Sequence, residues 1–178
     1  MENQLVERSK VNWLAKKLSQ RNSNITDESV DLILDNKNVM FFLCVWALFE
    51  STIFDGYLRK KHTQNNIYSI SQKYAKNYSS DNFDFYSTYF HQRYQDNELY
   101  KKLRHNENDS KMNEILHKEH SMLTKEEKLY LLLYTVYRYR NNMFHGNKDI
   151  LTWENFATEI DHCTQIMIKM IDVKESVK

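Results

Sequence analysis

Proline is absent from the 178 residues, and glycine occurs only as Gly56 and Gly146. So few breakers argue against a turn-rich β fold and favour long helices. Cysteine is scarce too. Cys44 and Cys163 lie inside apolar runs without metal-ligand spacing, so they are expected to be small core residues of a protein from a reducing compartment. Long hydrophobic runs are missing: the longest, residues 39–49, is flanked by Lys37 and Glu50 and is too short to span a bilayer. Nor is there an excess of one charge. A formal net charge of +1 gives no long-range attraction to nucleic acid, which argues against a general coat protein and leaves any RNA binding to a local patch. The opening Met1-Glu2-Asn3-Gln4 is polar and lacks a signal-peptide pattern, so the expected location is cytoplasmic.

What the chain does have is helical periodicity. Residues 4–20 set Leu5, Val6, Val11, Trp13, Leu14 and Leu18 among charged neighbours, and Thr26 or Asn24 can cap a short helix through Val30, Leu32, Ile33 and Leu34. The next helix, about 38–59, is the most apolar and is expected to be central. Its deepest stripe is Val39, Leu43, Trp46, Glu50, Ile53 and Tyr57, an apolar row interrupted by one carboxylate. From 61 to 122 the composition turns polar, which predicts a helical insertion or peripheral subdomain with helices near 69–78, 83–94, 98–105 and 111–121. Thr124 and Glu127 form a capping-box start for a strongly periodic helix, and Gly146 suits its C-terminal side. Thr152 can cap a last helix carrying Trp153, Phe156, Ile160, Cys163, Met167 and Met170/Ile171, long enough to pack in the core and partly against a second copy; the tail after Val173 is expected to fray. The expected architecture is a single all-α domain over 1–178, an antiparallel helical bundle with a polar helical insertion at 61–122.

Several clusters invite two readings each. Phe83, Phe85, Tyr86, Tyr89, Phe90 and Tyr94 can stack bases beside Arg93, or anchor their helix to the core, the commoner use of such a stripe. Arg59-Lys60-Lys61, Lys101-Lys102 and Arg104-His105 are the best basic patches, though such runs usually serve as solvated faces or helix ends. Glu114, His117 and His120 recur every three residues, yet one helix offers half a metal site at most, and a solvated polar face is the better reading. His62, His91 and His105 are expected at the surface.

The most informative stretch is residues 137–147. Leu129, Leu133 and Val136 put Arg140 on a buried stripe at the end of the capped helix, whereas Arg138 lies off it. A core-facing guanidinium needs a carboxylate, a cavity or a partner, so Glu50, the other ion on an apolar stripe, is expected to meet Arg140. The alternative is that this pair is purely structural.

Arg140-Asn141-Asn142-Met143-Phe144-His145 also resembles the Arg-x4-6-His motif of the HEPN superfamily, in which a polar residue, often Asn, follows the Arg and a turn residue such as Gly146 often follows the His. Arg138 fits the motif with six intervening residues. The resemblance covers the motif helix and, loosely, the helix bearing Glu50. It implies a metal-independent endoribonuclease without cofactor that cleaves RNA by 2′-OH transesterification, with Arg140 and His145 as catalytic residues. Asn141 and Glu50 would support them, and a homodimer would bring two motifs together. It further implies a toxin or defence effector, restrained by a partner such as a nucleotidyltransferase antitoxin. A non-catalytic helical module that dimerises or binds protein or RNA is the competing expectation.

Overall fold

The computed structural model describes residues 37–54, 63–105, 107–144 and 155–176, with Arg8, Asn12, Trp13, Lys16, Thr26, Asp31 and Leu58. Among these residues there is no strand, and the fold is all-α. Seven α-helices have both ends among the described residues: α1 (Lys37–Ile53), α2 (Thr63–Tyr74), α3 (Ser80–Tyr94), α4 (Asn97–Arg104), α5 (Ser110–Leu116), α6 (Lys125–Phe144) and α7 (Ala157–Ser176). Short 3-10 turns, Ala75–Asn77 and His120–Met122, follow α2 and precede α6. No helix among the described residues is long and apolar enough to cross a membrane. Of the expected first helix only Arg8, Asn12, Trp13 and Lys16 are described; all but Trp13 are polar, and all four are exposed.

The helix at the centre is α6, not α1. Every residue from Leu129 to Tyr139 is buried, because α2, α3, α4, α5 and α7 all pack against α6. By contrast α1 lies along α7 through Val39, Phe42, Val45, Trp46, Phe49 and Ile53, and turns its opposite face outward. Phe54 bends away after α1, ahead of the Asp55-Gly56 pair, well before the expected end at residue 59.

The polar stretch 63–122 supplies much of the core. Ile67, Tyr74, Tyr78, Phe83, Phe90, Tyr94, Tyr100, Leu103, Met112 and Ile115 all belong to the cluster built around α6. Each short helix shows α6 only a few apolar side chains and gives the rest of its surface to solvent, so the average hydropathy is low although the inward face is apolar.

Side chains close the helix ends. The capping box forms as expected: the Glu127 N–H donates to Thr124 Oγ1 at 3.2 Å, and the Thr124 N–H donates to Glu127 Oε2 at 3.0 Å. Lys118 also donates to Glu127, at 2.6 Å. Burial works against the Glu127 carboxylate, but Lys118, the Thr124 N–H and the charge of Lys111 outweigh it and hold its pKa down at about 2. Asp96 caps α4 through the Glu98 and Leu99 N–H groups. Asp109 caps α5 through the Met112 N–H at 2.8 Å and accepts from Tyr130 Oη of α6 at 2.7 Å, tying the two helices together. The C-terminal helix runs to Ser176, past the point where fraying was expected, while Gly146, Thr152 and Trp153 lie outside the described residues.

Candidate functional site

The last two turns of α6 carry two arginines that point to different sides, since a two-residue step turns the helix by about 200°. Arg138 is the buried one, only 3% exposed. Its Nε donates to Leu103 O at 3.1 Å, its Nη2 to Arg104 O at 2.7 Å, and its Nη1 lies 2.6 Å from Glu107 Oε2. Asn142, one turn on, adds a bond from Nδ2 to Leu103 O at 3.1 Å. Together they satisfy carbonyls at the end of α4 that have no partner within that helix. Arg138 was expected off the buried stripe. A stripe has little meaning on a helix covered on every side, and Arg138 can be buried because the end of α4 offers it acceptors.

Arg140 is the half-buried one. Its Nη1 donates to Asn141 Oδ1 at 3.0 Å, and its Cζ stands 5.5 Å from the centroid of the Trp46 ring. That distance suits a cation–π contact. Asn141 is itself buried, so its amide fixes one side of the guanidinium from the next residue along.

Glu50 does not meet Arg140 in the expected way. Its Oε2 accepts from Trp46 Nε1 at 3.2 Å, and its Oε1 accepts from the Leu58 N–H at 2.9 Å. The ion pairs of the described residues do not include Glu50 with Arg140; instead the two ions share Trp46, one at the indole N–H and the other over the ring. The spacing explains this, because Trp46 and Glu50 are one turn apart on α1 and the indole reaches the carboxylate without leaving its own helix. His145 lies outside the described residues, as does Gly146.

The aromatic row of α3 divides. Phe83, Phe90 and Tyr94 are core, with Tyr94 Oη donating to Tyr139 Oη at 3.0 Å, whereas Phe85 is 64% exposed. Phe85, Tyr86, Tyr89 and Phe90 surround the His162 ring of α7 at centroid distances of 5.4, 5.4, 4.6 and 6.1 Å. Arg93 pairs with the buried Glu159 at 2.9 Å, and Tyr89 Oη donates to the same carboxylate at 2.6 Å. Burial first, then that bond, pushes the Tyr89 hydroxyl up to about 12. This face therefore anchors α3 to α7, with only Phe85 left prominent.

Of the three histidines expected at the surface, His105 is exposed, His62 lies outside the described residues, and His91 differs. His91, expected at the surface, is 1% exposed, with Nε2 3.3 Å from Ile115 O and its ring 5.4 Å from that of His120. His120 Nε2 lies 2.9 Å from Ser87 Oγ, next to a chain in which Tyr78 Oη and Lys128 Nζ both donate to Asp84. Burial lowers the His120 pKa. Nothing in the local sequence joins residues so far apart; only the packing of α3 on α6 does. Glu114 turns instead to Lys118 at 3.0 Å, and His117 Nδ1 to Asn113 O at 2.6 Å, so Glu114, His117 and His120 face different partners. Among the described residues, no group of three His, Cys, Asp or Glu side chains could hold a metal ion. Cys163 is buried as expected, but Cys44 is exposed.

The neighbourhood of Arg140 thus combines a permanent cation, an indole ring, a carboxamide and a carboxylate bound to neutral donors, at the end of the best-packed helix. It can hold an anion with planar oxygens against a guanidinium whose orientation is set from two sides. No family model, curated protein or solved structure matches this chain.

Proposed function

We propose that this chain is a metal-independent endoribonuclease of the HEPN type, with Arg140 and His145 as its catalytic residues and Asn141 and Glu50 in support. The observation that carries the reading is the contrast between the two arginines of the motif. Arg138 is buried in holding α4, while Arg140 is only half-buried, oriented by Asn141 and Trp46, in the register that resembles the family motif.

In this reading the ribose 2′-oxygen attacks the adjacent phosphorus as its proton passes to a base, and the bond from phosphorus to the 5′-oxygen breaks as that oxygen takes a proton. The products are a 2′,3′-cyclic phosphate and a 5′-hydroxyl. Imidazole at His145 transfers a proton near neutral pH, and the forked guanidinium of Arg140 stabilises the charge on the pentavalent phosphate. Two copies supply two imidazoles, one for each proton transfer. The resemblance extends the proposal to a cytoplasmic toxin or defence effector restrained by a partner such as a nucleotidyltransferase antitoxin.

The test is cleavage of single-stranded or looped RNA in EDTA, with DNA and 2′-deoxy-substituted RNA as controls. RNA alone is expected to be cut, and His145→Ala is expected to abolish cutting without changing the fold. A requirement for divalent metal, or cutting that survives both His145→Ala and Arg140→Met, defeats the mechanism. A second reading, a helical interaction module, is favoured by the exposed apolar face of α1; it predicts no cleavage of any RNA.

A further inference from the structure

The short helix α4 turns a basic face outward. Tyr100 and Leu103 face the core, Glu98, Lys101, Lys102 and the following His105 are exposed, and Arg104 is half-buried. The carboxylates nearby are already engaged: Glu98 pairs with Lys101 at 2.7 Å and Glu107 with the buried Arg138 at 2.6 Å. Lys102 and Arg104 meet no carboxylate among the described residues, and His105 makes no hydrogen bond there. Arg104 is held by neutral groups instead, donating from Nη1 to Glu107 O at 3.1 Å and standing 5.8 Å from the centroid of the Tyr100 ring.

We infer that this end of α4 binds the phosphate backbone of single-stranded RNA, with Lys102, Arg104 and His105 as its contacts. The C-terminal end of a helix ordinarily repels anions, and lysine or arginine in its last turn ordinarily serves to offset the exposed carbonyls. That need is already met here. The Leu103 carbonyl accepts from Arg138 and Asn142, and the Arg104 carbonyl from Arg138 and the Glu107 N–H at 3.0 Å. A buried guanidinium therefore cancels the negative pole, and the cations outside it add to a positive surface. The same surface has no exposed apolar side chain, since Asn97, Glu98, Lys101 and Lys102 make up the outward positions of α4. A protein partner needs an apolar centre poor in charge, whereas phosphate oxygens need only cations and N–H donors.

The backbone at His105 supplies an independent handle. Its φ of 54° and ψ of −124° lie in a region that favours glycine, and it is the one non-glycine residue with positive φ among those described. Replacing it with glycine relaxes the backbone and removes the imidazole, so stability and RNA binding are expected to move in opposite directions. The patch is tied to the last turns of α6 by Arg138 and Asn142, and Arg140 stands on another side of the same helix, which is about 10 Å across. That RNA held by α4 is delivered to Arg140 rests on the nuclease reading; the phosphate contact itself does not.

The test uses the full chain and a fluorescent 2′-O-methyl oligoribonucleotide, which keeps its phosphates but has no free 2′-hydroxyl to attack them. Anisotropy titrations at several salt concentrations are expected to show binding by the parent. With Lys102→Ala and His105→Gly together, binding is expected to weaken about tenfold and the salt slope to fall by about 1.4, the share of two single-strand phosphate contacts. His105→Gly alone is expected to weaken binding and to raise the melting temperature. An unchanged affinity and salt slope in the double variant overturns the inference, as does polyglutamate bound by the parent as tightly as the oligonucleotide, which would assign the patch to an acidic protein. If the double variant binds like the parent and the parent cuts RNA, the patch falls and the nuclease reading stands. If the double variant loses binding and the parent cuts no RNA, the nuclease reading falls and the patch stands.

Discussion

Helices α1 and α6 are the two apolar helices that carry the candidate site, and they are used in opposite ways. Around α6 the chain wraps on all sides, so even a guanidinium on it is buried and must find acceptors, which Arg138 does at the end of α4. Along α1 only one face is covered, by α7, and a stripe equally apolar in sequence is left in solvent. The difference teaches that the hydropathy of a helix sets how much apolar surface it carries, while its neighbours set how much of that surface is covered.

The comparison can be broken most sharply at adjacent or nearby positions. Arg138→Ala takes the cation from Glu107 and one of two donors from each of the Leu103 and Arg104 carbonyls, and should cost about 3–5 kcal/mol in urea unfolding because three charge-assisted bonds are lost together. Arg140→Met is expected to cost much less while removing the proposed RNA cleavage, and equal stability losses for the two would erase the distinction drawn between them. On α1 the same contrast lies between neighbours. Phe42→Ala, which empties a fully buried site against α7, should cost about 3–5 kcal/mol, whereas Phe41→Ala, on the outward face, should leave a dilute monomer within about 0.5 kcal/mol of the parent.

A smaller effect concerns pH. Because the folded-state pKa of Glu127 is lowered to about 2, its contribution is fully present above the usual glutamate range and disappears as the pH falls from that range toward 2. Glu127→Gln should therefore flatten the acid limb of a stability–pH profile and lower stability near neutrality, since the ties to Lys118 and Lys111 weaken at every pH above that limb. An unchanged acid limb would show that the capping box carries no charge-linked stability. A modest loss is expected at Asp109: Tyr130→Phe removes one buried hydrogen bond between α5 and α6 and should lower stability by about 1–2 kcal/mol, with the Asp109 cap on Met112 retained.

Local patterns determined a good deal. The near absence of breakers implied an all-α chain, the period of Leu129, Leu133 and Val136 implied α6, and Thr124 with Glu127 marked its start, because turn chemistry and capping depend on residues a few positions apart. The residues that resemble the family motif were visible for the same reason.

Tertiary structure decided everything that depends on what lies opposite. It made α6 rather than α1 the centre, buried Arg138 and His91, and exposed Cys44. It also directed Glu50 to Trp46 and the Leu58 N–H instead of to Arg140. A stripe on a helical wheel records which side chains share a face, but a covered helix has no outward face and a charge pairs with the nearest donor in space. Those donors came from parts of the chain whose positions no short-range pattern encodes.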